Sequence, residues 1–130
     1  MGLTATAKGL TKETGFDCGY LTYGTFILEL IKVAYGEKCR DIFRKHMIDG
    51  EGFTQEECDI WNDLDILIQH SDCGGKFTPQ ECRKVYNAIK DLKMDMMGHN
   101  YGVMKPYNML EHWKNIFKYC ATRRVNLYYY

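Results

Sequence analysis

Apolar residues recur at helical spacing along five stretches of this chain. Between Gly24 and Tyr35 the positions Phe26, Ile27, Leu30, Ile31 and Ala34 fall three or four residues apart. Leu28 and Val33 widen that stripe, which predicts a central helix covered on most sides. Gly36 breaks it. Glu37 to His46 predicts a short second helix, with Cys39, Ile42, Phe43 and Met47 inward and Lys38, Arg40, Arg44 and Lys45 outward. After a turn at Asp49-Gly50-Glu51-Gly52, a third helix is expected from Thr54 to about Gln69. It carries Cys58, Trp61, Leu64, Leu67 and Ile68 on one side, and Asp59, Asp63 and Asp65 on or near the other. A fourth runs from Pro79 to about Met97, with Cys82, Val85, Tyr86, Ile89, Leu92 and Met96 inward. Gly98 is placed to end it in a left-handed conformation. Pro106 opens a fifth, through about Thr122, which buries Leu110, Trp113, Ile116, Phe117 and Cys120.

The two ends lack this period. Residues 1–19 are rich in Gly, Thr and Lys and read as an irregular lead-in. Tyr20 to Tyr23 alternates, as a short strand or turn does. The tail, Val125 to Tyr130, is aromatic and β-prone, with Tyr20 to Tyr23 as its expected partner. The pattern therefore predicts one globular domain over residues 1–130 that is mainly α. It is expected to be a compact bundle of about five helices, with at most a small β element from the N-terminal region and the C-terminal tail.

One pattern occurs twice. His46 to Cys58 reads HMIDGEGFTQEEC and His70 to Cys82 reads HSDCGGKFTPQEC. The matched pairs His46/His70, Gly50/Gly74, Phe53/Phe77, Thr54/Thr78, Glu57/Glu81 and Cys58/Cys82 each lie 24 residues apart. Its second half is helix-start grammar. Thr-x-x-Glu forms a capping box, in which the Thr oxygen accepts from the amide three residues on and the Glu reaches back to the amide of the Thr. Phe53 with Cys58, and Phe77 with Cys82, stand at the positions of a hydrophobic staple. Pro79 falls at the first helical residue, where a missing N–H costs nothing.

Capping does not account for His70-Ser71-Asp72-Cys73, and these four are the candidate ligand-binding residues. Their neighbourhood is expected to be a pocket beside the basic face of the second helix. If the turn were catalytic, His70, Asp72 and Cys73 would be the acid, base or nucleophile of a small hydrolase acting on a nucleotide or amide. A calcium-loop alignment starting at His70 puts Asp72, Gly75, Phe77, Thr78 and Glu81 at fitting places, with Asp72 and Glu81 as the carboxylates. His occupies the first place and Gly74 the fifth, so the loop is short of oxygen ligands. Zinc would draw on His70, Asp72, Cys73 or Cys82, yet no ordered Cys/His spacing is present. The remaining histidines, His46, His99 and His112, are paired by no catalytic or metal-ligand spacing and read as surface or core residues. No cofactor is expected.

Charge and cysteine usage narrow the classes further. Lys+Arg and Asp+Glu number 17 each, so the formal net charge is zero, which excludes bulk electrostatic binding of nucleic acid. No apolar run approaches the roughly 18 residues of a membrane span. Six cysteines without a CxxC pair read as reduced, mostly buried thiols, in keeping with a cytoplasmic protein. Ten tyrosines and two tryptophans offer stacking surfaces as well as core. The aromatic, β-prone tail invites pairing of two copies into a homodimer.

The central motif also carries a resemblance. Leu67 to Gly75, with His70-Ser71-Asp72-Cys73 and Gly75, is similar to the His-Ser-Asp-Cys-Asp-Gly motif of a group of small phage and prophage proteins with no assigned activity. Met1-Gly2-Leu3, Gly19-Tyr20, Tyr23-Gly24-Thr25-Phe26, Pro79 with Cys82, and Trp113 to Tyr128 resemble other parts of that group. The chain departs at Gly74, where the group is acidic, and in the stretch around the upstream repeat. The resemblance implies a phage origin, the host cytoplasm as setting, and a small α-rich fold. With no recognisable catalytic constellation, the expected role is a non-enzymatic accessory protein. It would bind a host protein or a small signalling molecule such as a nucleotide, and so counter host defence.

Overall fold

The computed structural model describes residues 2–50, 54–60, 64–68, 70 and 74–130, and of residues 58–60 the backbone alone. The expected α-bundle is corrected by a four-stranded antiparallel sheet of order β2-β1-β6-β3 and a second sheet of two strands, β4-β5. The fold is α+β.

Residues 1–19, expected to be irregular, supply half of the larger sheet. Strand β1, Gly2–Thr6, pairs antiparallel with β2, Phe16–Gly19, in the register Leu3↔Cys18 and Ala5↔Phe16. The signal is faint because only two residues of β1 face the core, and one is an alanine. Alternation across the sheet is nonetheless strict. Leu3, Ala5, Phe16 and Cys18 are buried, together with Leu127 and Tyr129 of β6 (Leu127–Tyr129) and Phe77 of β3 (Lys76–Phe77). Thr4, Thr6, Asp17, Lys76 and Tyr128 point to the other face. The C-terminal strand is present as expected, but its partners are β1 and β3 rather than Tyr20 to Tyr23. It lies inside the sheet and offers no free edge.

Tyr20 to Tyr23 opens helix α1, Tyr20–Tyr35, because Tyr23 continues the stripe of Phe26, Ile27, Leu30 and Ile31. That helix is not covered on most sides, since Val33 is exposed and Leu21 almost fully so. Helix α2, Glu37–Asp49, packs on α1 through Phe43 and ends at Gly50 in the left-handed region, φ 69°. The expected third helix is described in two pieces, α3, Gln55–Ile60, and α4, Asp65–Ile68. Phe53, Trp61 and Asp63, and the side chains of Cys58 and Asp59, lie outside the described residues.

Helix α5, Pro79–Ile89, stops well short of Met97. The carbonyls beyond it are taken by the next helix instead of by a further turn. Lys114 Nζ donates to Leu92 O (2.6 Å), Asn108 Nδ2 to Met94 O (2.8 Å) and Met109 N to Met96 O (2.8 Å). Gly98 is not a helix terminator. It belongs to β4, Met97–Gly98, paired with β5, Tyr107–Asn108, and a side chain there would run into Met109. Pro106 precedes β5, and the last helix, α6, is Met109–Arg123, capped by Asn108 Oδ1 on Glu111 N (3.1 Å).

The inward residues expected of α6 are all buried. Trp113 is the hub, with ring centroids 4.6 Å from Phe16, 5.4 Å from Phe117, 5.8 Å from Phe26, 5.9 Å from Tyr23 and 6.1 Å from Tyr129. One residue thus joins both chain ends to α1 and α6. Helix α5 packs alongside α6. Among the described residues, no helix is long and apolar enough to cross a membrane.

Candidate functional site

The two copies of the repeat begin their helices alike. Thr54 Oγ1 accepts from Glu57 N (3.1 Å) and Glu57 Oε1 accepts from Thr54 N (3.0 Å). Thr78 and Glu81 repeat this at 3.2 and 2.9 Å. Downstream, Phe77 and Cys82 are both fully buried, as a staple requires. The histidines diverge. His46 pairs through Nε2 with Glu57 Oε2 at 2.9 Å, tying the end of α2 to the start of α3. The Thr54 amide first, and His46 second, hold the Glu57 carboxyl below its ordinary range.

His70 does something else. Its ring stacks on Phe77 (4.0 Å, 20°) and meets Tyr129 edge-on (4.9 Å), and Nε2–H donates to Lys76 O at 3.1 Å. Gly75 has φ 92° and passes so close that a Cβ would lie 3.3 Å from the imidazole. His70 therefore buttresses β3, an edge of the sheet. It also borders an apolar cleft of about 240 Å³ with Tyr23, Gly24, Ile27, Phe43, Met47, Leu67 and Ile68. That cleft meets the apolar side of α2, not its basic side. Ser71, Asp72 and Cys73 lie outside the described residues. Glu81 is engaged by the Thr78 amide, and no cluster of three His, Cys, Asp or Glu suited to a metal occurs among the described residues.

The better-formed polar site is at the opposite edge. Asn100 is the one buried polar residue among those described, 1% exposed, and it is fully engaged. Nδ2 donates to Lys12 O and Gly15 O, both at 2.9 Å. Oδ1 accepts from Asp17 N (3.0 Å) and from the Tyr107 hydroxyl (2.6 Å). Tyr101 N adds a bond to Asp17 O at 3.1 Å. One loop residue and its neighbour thus satisfy edge strand β2, which would otherwise present free backbone groups.

His112, on the second turn of α6, completes the wall. Its ring lies flat on Tyr107 (3.8 Å, 10°), and Nε2–H donates to Gly15 O at 2.6 Å. That bond leaves Nδ1 as an acceptor. No described residue fills it, and it is not sealed from solvent. Burial holds the imidazole below its ordinary pKa, against the opposing pull of the Gly15 carbonyl. The ring is neutral at physiological pH. Burial likewise raises the Tyr107 phenol, with Cys18 and Asp17 adding to it, so its hydroxyl remains a donor to Asn100.

Between these groups lies a cavity of about 270 Å³, near the lower end of small-ligand sites. Thr14, Val103 and Asn115 line it beside His112, and Glu13 and Lys105 bring opposite charges, neither of them in an ion pair with a described residue. The thiols described nearby are not activated. Cys18 is pushed up to about 12 by burial and by Asp17.

Comparisons with protein-family models, curated proteins and solved structures each return no match. The geometry therefore stands by itself. Sequence spacing could not find this site, because every hydrogen bond that ties it to the N-terminal segment joins residues 83 to 97 positions apart. The one local signal was an asparagine between His99 and Tyr101, flanked by glycines and tyrosines.

Proposed function

We propose that this is a non-enzymatic binding protein that holds a small polar molecule in the cavity walled by Asn100, Tyr107 and His112. The observation that carries this reading is the preformed wall. Asn100, the Tyr107 hydroxyl and His112 Nε2 are satisfied internally, and His112, which lines the cavity, keeps Nδ1 as an acceptor without a partner among the described residues. A preformed wall lets a ligand bind without first ordering side chains. The ligand that fits presents an N–H or O–H to Nδ1, and polar or charged groups to Lys105 and Glu13. A nucleobase or a similar heterocycle has that character. In a phage setting, which the His-Ser-Asp-Cys motif suggests, removal of such a molecule from the host would counter a defence signal.

The enzyme alternative needs a nucleophile or a proton relay at the same place. Tyr107 is held as a donor and Asn100 is spent on backbone. The test is a ligand screen by thermal shift, followed by calorimetry on Glu13→Ala and Lys105→Ala. Both residues are exposed, so the variants fold. The expected result is a ligand recovered unchanged, bound about tenfold more weakly by at least one variant, the scale of one charged contact. A ligand returned chemically altered favours the hydrolase, and affinity untouched by both changes places binding elsewhere.

A further inference from the structure

At the far end of α6 from His112, α6 finishes where α5 begins. An open cleft of about 570 Å³ lies there, lined by Pro79, Gln80, Arg83, Lys84, Ala121 and Arg124. Half of these residues are cations, and Arg83, Lys84 and Arg124 are all exposed. None of the three side chains has an ion pair or hydrogen bond to a described residue. The nearest acid along α5, Glu81, is occupied by the Thr78 amide at 2.9 Å. In a chain with equal numbers of acidic and basic residues, this is a local excess of positive charge.

A second observation is independent of charge. Arg124 is the one non-glycine residue with positive φ among those described, 56° with ψ 46°. It occupies the place after a helix where glycine or asparagine is the favoured residue. Glycine would close α6 with less strain. The chain instead holds a long cation there, at a cost in backbone energy, on the rim of the cleft. Strain of this kind at an exposed position points to a role beyond folding.

We infer that this cleft binds the oligophosphate group of a small molecule. Two guanidinium groups present paired donors that match phosphate oxygens, and Lys84 adds a point charge. Three positive charges suit a diphosphate or triphosphate chain better than a single carboxylate. Nucleic acid is disfavoured by two features. Among the described residues no aromatic side chain lines the cleft to stack a base, and the cations are gathered in one place instead of along a track. This site is separate from the His112 cavity and does not depend on it.

The test is calorimetric titration of the full chain with inorganic tripolyphosphate, in buffer free of phosphate, at low and at physiological salt. Arg83→Ala, Lys84→Ala and Arg124→Gly are compared with the parent. Binding is expected to weaken at least tenfold in Arg83→Ala and Arg124→Gly, severalfold in Lys84→Ala, and in the parent as salt rises. Arg124→Gly keeps or raises the melting temperature because it relieves the backbone, so its loss of affinity is not a loss of fold. Absence of heat at millimolar tripolyphosphate overturns the inference. So does affinity unchanged in Arg83→Ala and Arg124→Gly. A single-stranded oligonucleotide bound more tightly than tripolyphosphate at equal phosphate, and lost in the same variants, overturns it in favour of nucleic acid.

Discussion

Two residues carry more of this structure than their positions in the chain suggest. Asn100 satisfies Lys12, Gly15, Asp17 and Tyr107 at once, so Asn100→Ala leaves several partly buried groups without partners. Each such group costs about 1–3 kcal/mol, and the expected loss is about 3 kcal/mol in urea unfolding, with the Tyr107 ring freed from its fixed place. Trp113 is the converse case. Its indole N–H is buried with no partner among the described residues, so the ring is present for its area and shape. Trp113→Phe is expected to cost less than about 1.5 kcal/mol and Trp113→Ala about 4 kcal/mol, measured the same way. His112 adds a pH signature. Its folded pKa lies below the ordinary 6.5, so the folded state prefers the neutral ring. Its contribution to stability is complete above that value and is lost as pH falls from there through the folded pKa. The difference in stability between the parent and His112→Gln is expected to shrink across that window. A difference that is flat with pH would contradict the assignment.

At the scale of elements, the repeat shows what the sequence could and could not say. Both capping boxes were legible because a cap is local. Thr54→Ala and Thr78→Ala should each cost about 1 kcal/mol. The upstream copy has an additional acid sensitivity. The Glu57 carboxyl titrates below its ordinary range, so its contribution is intact above that range and is lost as pH falls through the lowered value. Thermal melts of Glu57→Gln against the parent between neutral and acid pH would show the gap closing at the acid end. The periodicity of α1 and α6 was legible for the same local reason, with Trp113 and its neighbours on the buried face. The sheet was not. Its strands are two to five residues long, β1 and β6 pair across nearly the whole chain, and β3 reaches β6 only from the middle of it. A five-residue strand carrying Leu3 and Ala5 inward does not stand out from an irregular lead-in. The end of α5 was not legible either, because what stops it is tertiary, the capture of its following carbonyls by Lys114, Asn108 and Met109.

For the whole molecule, each edge of the larger sheet is closed by a histidine. His70 holds the carbonyl of Lys76 beside β3, and His112 holds the carbonyl of Gly15 at the entrance to β2. The sequence drew attention to His70, because that histidine sits in a repeat and beside Ser71, Asp72 and Cys73. The structure gives the polar cavity to His112, which no spacing marks. The two readings separate in one experiment, the long-range imidazole ¹⁵N spectrum of the protein, recorded with and without the ligand found by screening. A ligand in the proposed cavity displaces the His112 Nδ1 resonance and leaves the His70 ring unchanged. Displacement of His70 with His112 unmoved would return the site to the repeat and contradict binding at the His112 cavity.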